Sequence, residues 1–132
     1  MSKPAICLFD GATGTLSHIE SLLQQCGFDV WHIDNADIRR QLRDHPQTLC
    51  VIIDFPGSRG LTLLEMLRYQ GIDLPAILIA DQGEMLEHGR IAKASVLDIL
   101  RRPFEPRELL SWIECIVVAQ NSLTVARDKK AA

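Results

Sequence analysis

The chain lacks an excess of positive charge, a paired-cysteine motif, a long apolar run and any ligand-like spacing of histidine. Each absence removes a class of function. Its 14 Lys and Arg are outnumbered by 17 Asp and Glu, for a formal net charge of -3. Nothing suggests a surface built to hold phosphate backbones, so direct nucleic-acid binding is not expected. The one basic cluster outside the apolar pattern, Arg127-Asp128-Lys129-Lys130, reads as a solvated tail. Cys7, Cys26, Cys50 and Cys115 form no C-x-x-C pair. Cys7, Cys50 and Cys115 stand beside apolar neighbours, which reads as buried, reduced thiols packing as small hydrophobes in a cytosolic protein. No run approaches the ~18 apolar residues of a membrane-spanning helix, and Met1-Ser2-Lys3-Pro4 has no signal-peptide core. The expectation is a soluble, cytoplasmic chain with no membrane contact. His18, His32, His45 and His88 show no metal-ligand spacing, and no internal repeat is visible.

What is present is one domain's worth of alternating apolar segments. At 132 residues, 47% hydrophobic and 23% charged, the chain can bury a core without staples. Apolar runs of strand length fall at 5–9, 28–33, 49–53, 74–80 and 96–100. Helical spacing falls between them. It covers 15–26, stopped by Gly27, and 36–44, capped by Asp34 or Asn35 and ended by Pro46. Leu63, Leu64 and Leu67 mark a third helix, stopped by Gly71, and 84–94 reads as a fourth. A fifth opens at Glu105 and Glu108, where the helix dipole favours acids, and buries Leu109, Leu110, Ile113, Ile116 and Val117. Residues 120–132 read as a linker or tail after a domain over 1–119.

Strict β-α alternation implies an α/β fold, a doubly wound parallel sheet of five strands flanked by five helices. In such sheets functional groups gather beyond the carboxyl ends of the strands. Asp10, Asp54, Asp81 and Arg102 all land there. The most informative stretch is Val51-Ile52-Ile53-Asp54-Phe55-Pro56-Gly57, a buried strand that delivers one carboxylate to the sheet edge and then breaks. Two carboxylates at neighbouring strand ends can hold Mg²⁺, which favours one or two acids, water and a phosphate. A phosphoryl group on one of them also needs a fixed cation, which Arg102 supplies. Alternatively, Arg102 forms a salt bridge to Asp54 or Asp10 that replaces the metal. A rival reading uses Gly11-Ala12-Thr13-Gly14-Thr15 as a dinucleotide-binding turn, with Asp34 on the ribose. Its spacing is G-x-x-G rather than G-x-G, no third glycine follows, and Asp10 would face the pyrophosphate.

These segments, with Ile91 to Asp98 and above all Arg102-Pro103-Phe104-Glu105, resemble the receiver domain of two-component response regulators. The resemblance implies a flavodoxin-like sheet in the order 2-1-3-4-5, Asp54 at the phosphoacceptor position and Arg102 at the family's lysine. It implies a weak Mg²⁺ site at Asp10 and Asp54, phosphorelay signalling rather than enzymatic turnover, and a sensor histidine kinase or phosphotransfer protein as partner. It further implies dimer or partner contacts on the face of helix 4, strand 5 and helix 5, with Trp112 and Ile99 as interface candidates, and an output domain in a longer chain. The departures are specific. Gly11 replaces a second acid, Ala80 a hydroxyl residue, Ile99 an aromatic and Arg102 the lysine, and the stretch between Asp54 and Ala80 is short. Arginine keeps the charge but not the geometry of an ammonium. The expectation is an atypical receiver with a degraded switch; the alternative is a fully working one.

Overall fold

The computed structural model describes residues 3–11, 16–34, 37–55 and 58–131, with 122–131 described by backbone alone. Its elements alternate: β1 (Ala5–Asp10), α1 (Ser17–Gln25), β2 (Asp29–His32), α2 (Ile38–Asp44), β3 (Thr48–Asp54), α3 (Arg59–Tyr69), β4 (Ala76–Ala80), α4 (His88–Ala94), β5 (Val96–Arg101) and α5 (Pro106–Ala131). The strands form one parallel sheet in the order β2-β1-β3-β4-β5, as expected.

Side chains alternate across each strand, so the sheet separates two apolar layers. Ile6, Leu8, Ile52, Ile77 and Ile79 face α1 and α5, meeting Leu23, Leu109 and Ile113. Cys7, Phe9, Val51, Ile53 and Leu78 face α2, α3 and α4, meeting Ile38, Leu64 and Leu67. Every residue of β3 is buried, which explains its continuous apolar run and makes Asp54, 4% exposed, an exception within it. The register pairs Asp10 directly with Asp54.

Several local expectations are corrected. Asp37 caps α2, its carboxylate accepting from the Arg40 amide at 3.1 Å. The Asp34 amide instead donates to the Gln41 side chain at 3.1 Å; Asn35 lies outside the described residues. α4 is shorter than 84–94. The Glu84 carboxylate accepts from the Asp81 amide and its carbonyl accepts from Arg101, so this segment is bonded as a loop, and Gly83 bends it at a φ of 80°. Cys115 is exposed, unlike Cys7 and Cys50. On a helix the next residue points about 100° away, so the buried Ile116 says nothing of its neighbour. α5 continues through the expected tail to Ala131 and is about 39 Å long.

Arg68 of α3 ties the bottom of the sheet together. Its guanidinium donates to the carbonyls of Ala94 at 2.7 Å and Ser95 at 3.2 Å, at the end of α4, and to those of Ile72 and Leu74 at 2.8 Å, before β4.

Candidate functional site

The carboxyl edge of the sheet brings four predicted residues together. Asp10 ends β1 and Asp54 ends β3, side by side. Gly11, at the turn that follows β1, donates its amide to the Asp54 carbonyl at 2.7 Å. Ala80 ends β4, buried and without a hydroxyl, and its carbonyl accepts the Arg102 amide at 2.9 Å. That bond aims the Arg102 side chain back across β4 toward β3.

There the guanidinium bridges two carboxylates. One nitrogen donates to Asp54 Oδ2, and the other to Asp81 Oδ1 at 3.1 Å. The expected salt bridge thus forms to Asp54, with Asp81 as its second arm. Partial burial disfavours the charged guanidinium, but the hydrogen bonds and charges of Asp54 and then Asp81 outweigh it, so Arg102 is held above its usual range. Arg101 reinforces the same loop by donating to the carbonyls of Asp81 at 3.0 Å and Glu84 at 2.9 Å. Asp10 is left differently: its Oδ1 is buried and has no hydrogen-bond partner. A buried carboxylate oxygen without a partner is costly, and marks where a donor or cation is wanted.

Sequence reasoning missed Phe55. Its ring covers Gly11 so closely that a Cβ on Gly11 would stand 2.9 Å from Phe55 Cδ1 and 3.0 Å from the Asp54 carbonyl oxygen. The one available signal was Gly11 itself, since a glycine after a strand can mark a close approach of other groups to the backbone. Ile99 lies half-buried against the α2-α3-α4 layer, whereas Trp112 lies half-buried on the opposite, α5, side. There Trp112 lines an apolar groove with Leu97, Cys115, Ile116 and Ala119. The rival nucleotide-binding turn loses its first anchor, because the Gly11 amide is committed to Asp54; Gly14 lies outside the described residues.

No protein-family model matches the chain. Among curated proteins it is 24% identical over 100 residues to the phosphate regulon transcriptional regulatory protein PhoB of Klebsiella pneumoniae, covering 73% of this chain and 44% of that protein. It is 26% identical over 110 residues to the response regulator protein TodT of Pseudomonas putida, covering 82% of this chain and 48% of that one. The solved structure of the response regulator StyR, 26% identical, superposes with a TM-score of 0.71 over 98% of this chain and 66% of that one. The chain has the fold of a response-regulator receiver domain and is similar in sequence to response regulators. It spans about half the length of the curated relatives it matches.

Receiver domains of response regulators typically use Mg²⁺ for phosphorylation. The donor set here does not fit that ion as it stands. Arg102 already holds Asp54 with a positive charge, and Phe55 fills the space above Gly11. Asp10 Oδ1 is buried without a partner beside Asp54, and Glu84 Oε2 is likewise partnerless in the loop after β4.

Proposed function

We propose that this receiver is an atypical member of two-component signalling, with Asp54 at the phosphoacceptor position, a degraded switch, and an output that runs through protein–protein contacts. The observation that carries the reading is the Arg102 bridge between Asp54 and Asp81. A carboxylate bonded to a guanidinium is a poorer nucleophile toward phosphorus. A ligand-driven switch also needs groups that contact the two states differently. Ala80 has no hydroxyl to bond a phosphoryl oxygen, and Ile99 has no aromatic ring to reorient.

The domain proper is residues 1–119, and 120–132 lead from it toward an output domain, in keeping with relatives about twice as long. Its partners are a sensor histidine kinase or phosphotransfer protein and a second copy across the face of α4, β5 and α5, where Trp112 lines an apolar groove. The protein works in the cytoplasm and turns over no substrate. No helix among the described residues is long and apolar enough to cross a membrane. A second reading, a fully working phosphorylatable receiver, is favoured by the partnerless Asp10 Oδ1, which a cation would satisfy.

Acetyl phosphate with Mg²⁺, followed by intact mass, separates the two. The atypical reading expects no mass change. A gain of one phosphoryl group that Asp54→Asn abolishes would overturn it.

A further inference from the structure

We infer that Arg102 is this domain's resident counter-ion, standing where a divalent cation would act and competing with that cation for the Asp10–Asp54 pair. The inference rests on the atypical reading and names what regulates its site.

Asp54 is 4% exposed and its carboxylate needs a compensating charge in place. The guanidinium provides it through a hydrogen bond from a side chain fixed by its own backbone bond to Ala80. A cation that took Asp54 as a ligand would have to expel Arg102 or sit beside it, and like charges repel strongly where water is scarce. The second arm raises the threshold, because expelling Arg102 also frees Asp81 and loosens the loop between β4 and α4.

Two further observations show that the replacement is built rather than incidental. Position 11 presents no third ligand, and a side chain there would have to displace Phe55 or the Asp54 backbone, since its Cβ would stand 2.9 Å from Phe55 Cδ1 and 3.0 Å from the Asp54 carbonyl oxygen. Asp10, the register partner of Asp54, keeps a buried oxygen with no partner. One ligand of the pair is therefore waiting while the other is occupied. Removing the charge at 102 should open the pair to a hard divalent ion, with Asp10 as the residue that decides it. Mg²⁺ is content with one or two carboxylates and water.

The test is a titration of the whole chain with Mg²⁺, read by the amide resonances of Asp10, Gly11, Asp54 and Asp81, with Mn²⁺ broadening of the same resonances as a second probe. The wild type is expected to show no saturable change at millimolar Mg²⁺. Arg102→Gln should gain saturable binding, tighter by about tenfold or more, the scale at which neighbouring groups tune metal sites. Adding Asp10→Asn should remove that binding. Arg102→Lys, which keeps the charge but loses the planar fork whose two nitrogens serve Asp54 and Asp81 separately, should fall between and guards against a variant that fails to fold. Saturable wild-type binding as tight as that of Arg102→Gln would overturn the inference, as would no gain in either folded variant. A phosphoryl mass gain would overturn the atypical reading instead, so the two failures are distinct.

Discussion

Replacing Arg68 should loosen the junction of α3, α4 and the entry to β4 more than its half-exposed position suggests. The guanidinium donates to the carbonyls of Ala94, Ile72, Leu74 and Ser95, which close two chain segments on one planar group. Each hydrogen bond is worth roughly 0.5–1.5 kcal/mol net, so the set is worth roughly 2–6 kcal/mol. Two effects reduce this. Burial disfavours the charge, holding Arg68 below its usual range against the opposing charge of Asp73, and that penalty disappears with the side chain. Partly exposed carbonyls also recover water. A loss of about 2–3 kcal/mol is expected for Arg68→Met, which keeps the apolar stem. For a domain of this size that is roughly 6–12 °C in Tm. Arg68→Lys should recover little, because one ammonium cannot span carbonyls on both segments. Urea unfolding of the three proteins measures the loss, and amide exchange at Val96 and Ala76 should quicken locally. If Arg68→Lys matches the wild type within about 0.5 kcal/mol, the four-carbonyl clamp is not what holds this junction.

Three other outcomes follow from the structure. Gly11→Ala should cost roughly 1–3 kcal/mol in urea unfolding, since its Cβ meets Phe55 and the Asp54 backbone; Phe55→Ala beneath it should return only the ring's share. At neutral pH a thiol reagent should label Cys26 and Cys115 in the folded protein and leave Cys7 and Cys50 unreacted, as peptide mass spectrometry would show. Burial, with the neighbouring Cys50, raises the Cys7 thiol far above its usual range, and burial pushes Cys50 up to about 12, so neither offers a thiolate. Glu65 is held below the usual carboxylate range by its hydrogen bond from Arg90 at 3.1 Å, with slight burial opposing and the Arg90 charge assisting. Its folded value lies below its unfolded one, so the stability it adds is present above the unfolded value and lost as pH falls through the folded one. The Tm gap between wild type and Glu65→Gln should therefore be small at neutral pH and close in acid.

The buried strand ending at Asp54 was legible because a central parallel strand is apolar on both faces and the one acid in it must have a reason. Alternation of strand and helix patterns implied the architecture, while the strand order came with the family resemblance carried by Arg102-Pro103-Phe104 and its companions. The start of α4 was not legible. Residues 84–87 have helical composition, but the Glu84 carboxylate is claimed by the Asp81 amide and its carbonyl by Arg101, 17 positions away, which no local pattern records. The cap of α2 and the exposure of Cys115 are different, because both follow local helical spacing: Asp37 stands three residues before Arg40, and Cys115 is one residue from the buried Ile116.

At the site, the sequence by itself determined which groups reach the edge: Asp10, Asp54, Ala80 and Arg102, each at or just beyond the end of a strand whose length and polarity pattern set its direction. It also determined what is absent there, a second acid, a hydroxyl and an aromatic ring. Only the tertiary structure decided how those groups share charge and space. Arg102 reaches Asp54 across 48 positions and Asp81 across 21, and Phe55 closes over Gly11. Spacing along a strand or helix fixes a side chain's face, but ion pairing and steric filling depend on distances between segments that meet only when the sheet has formed.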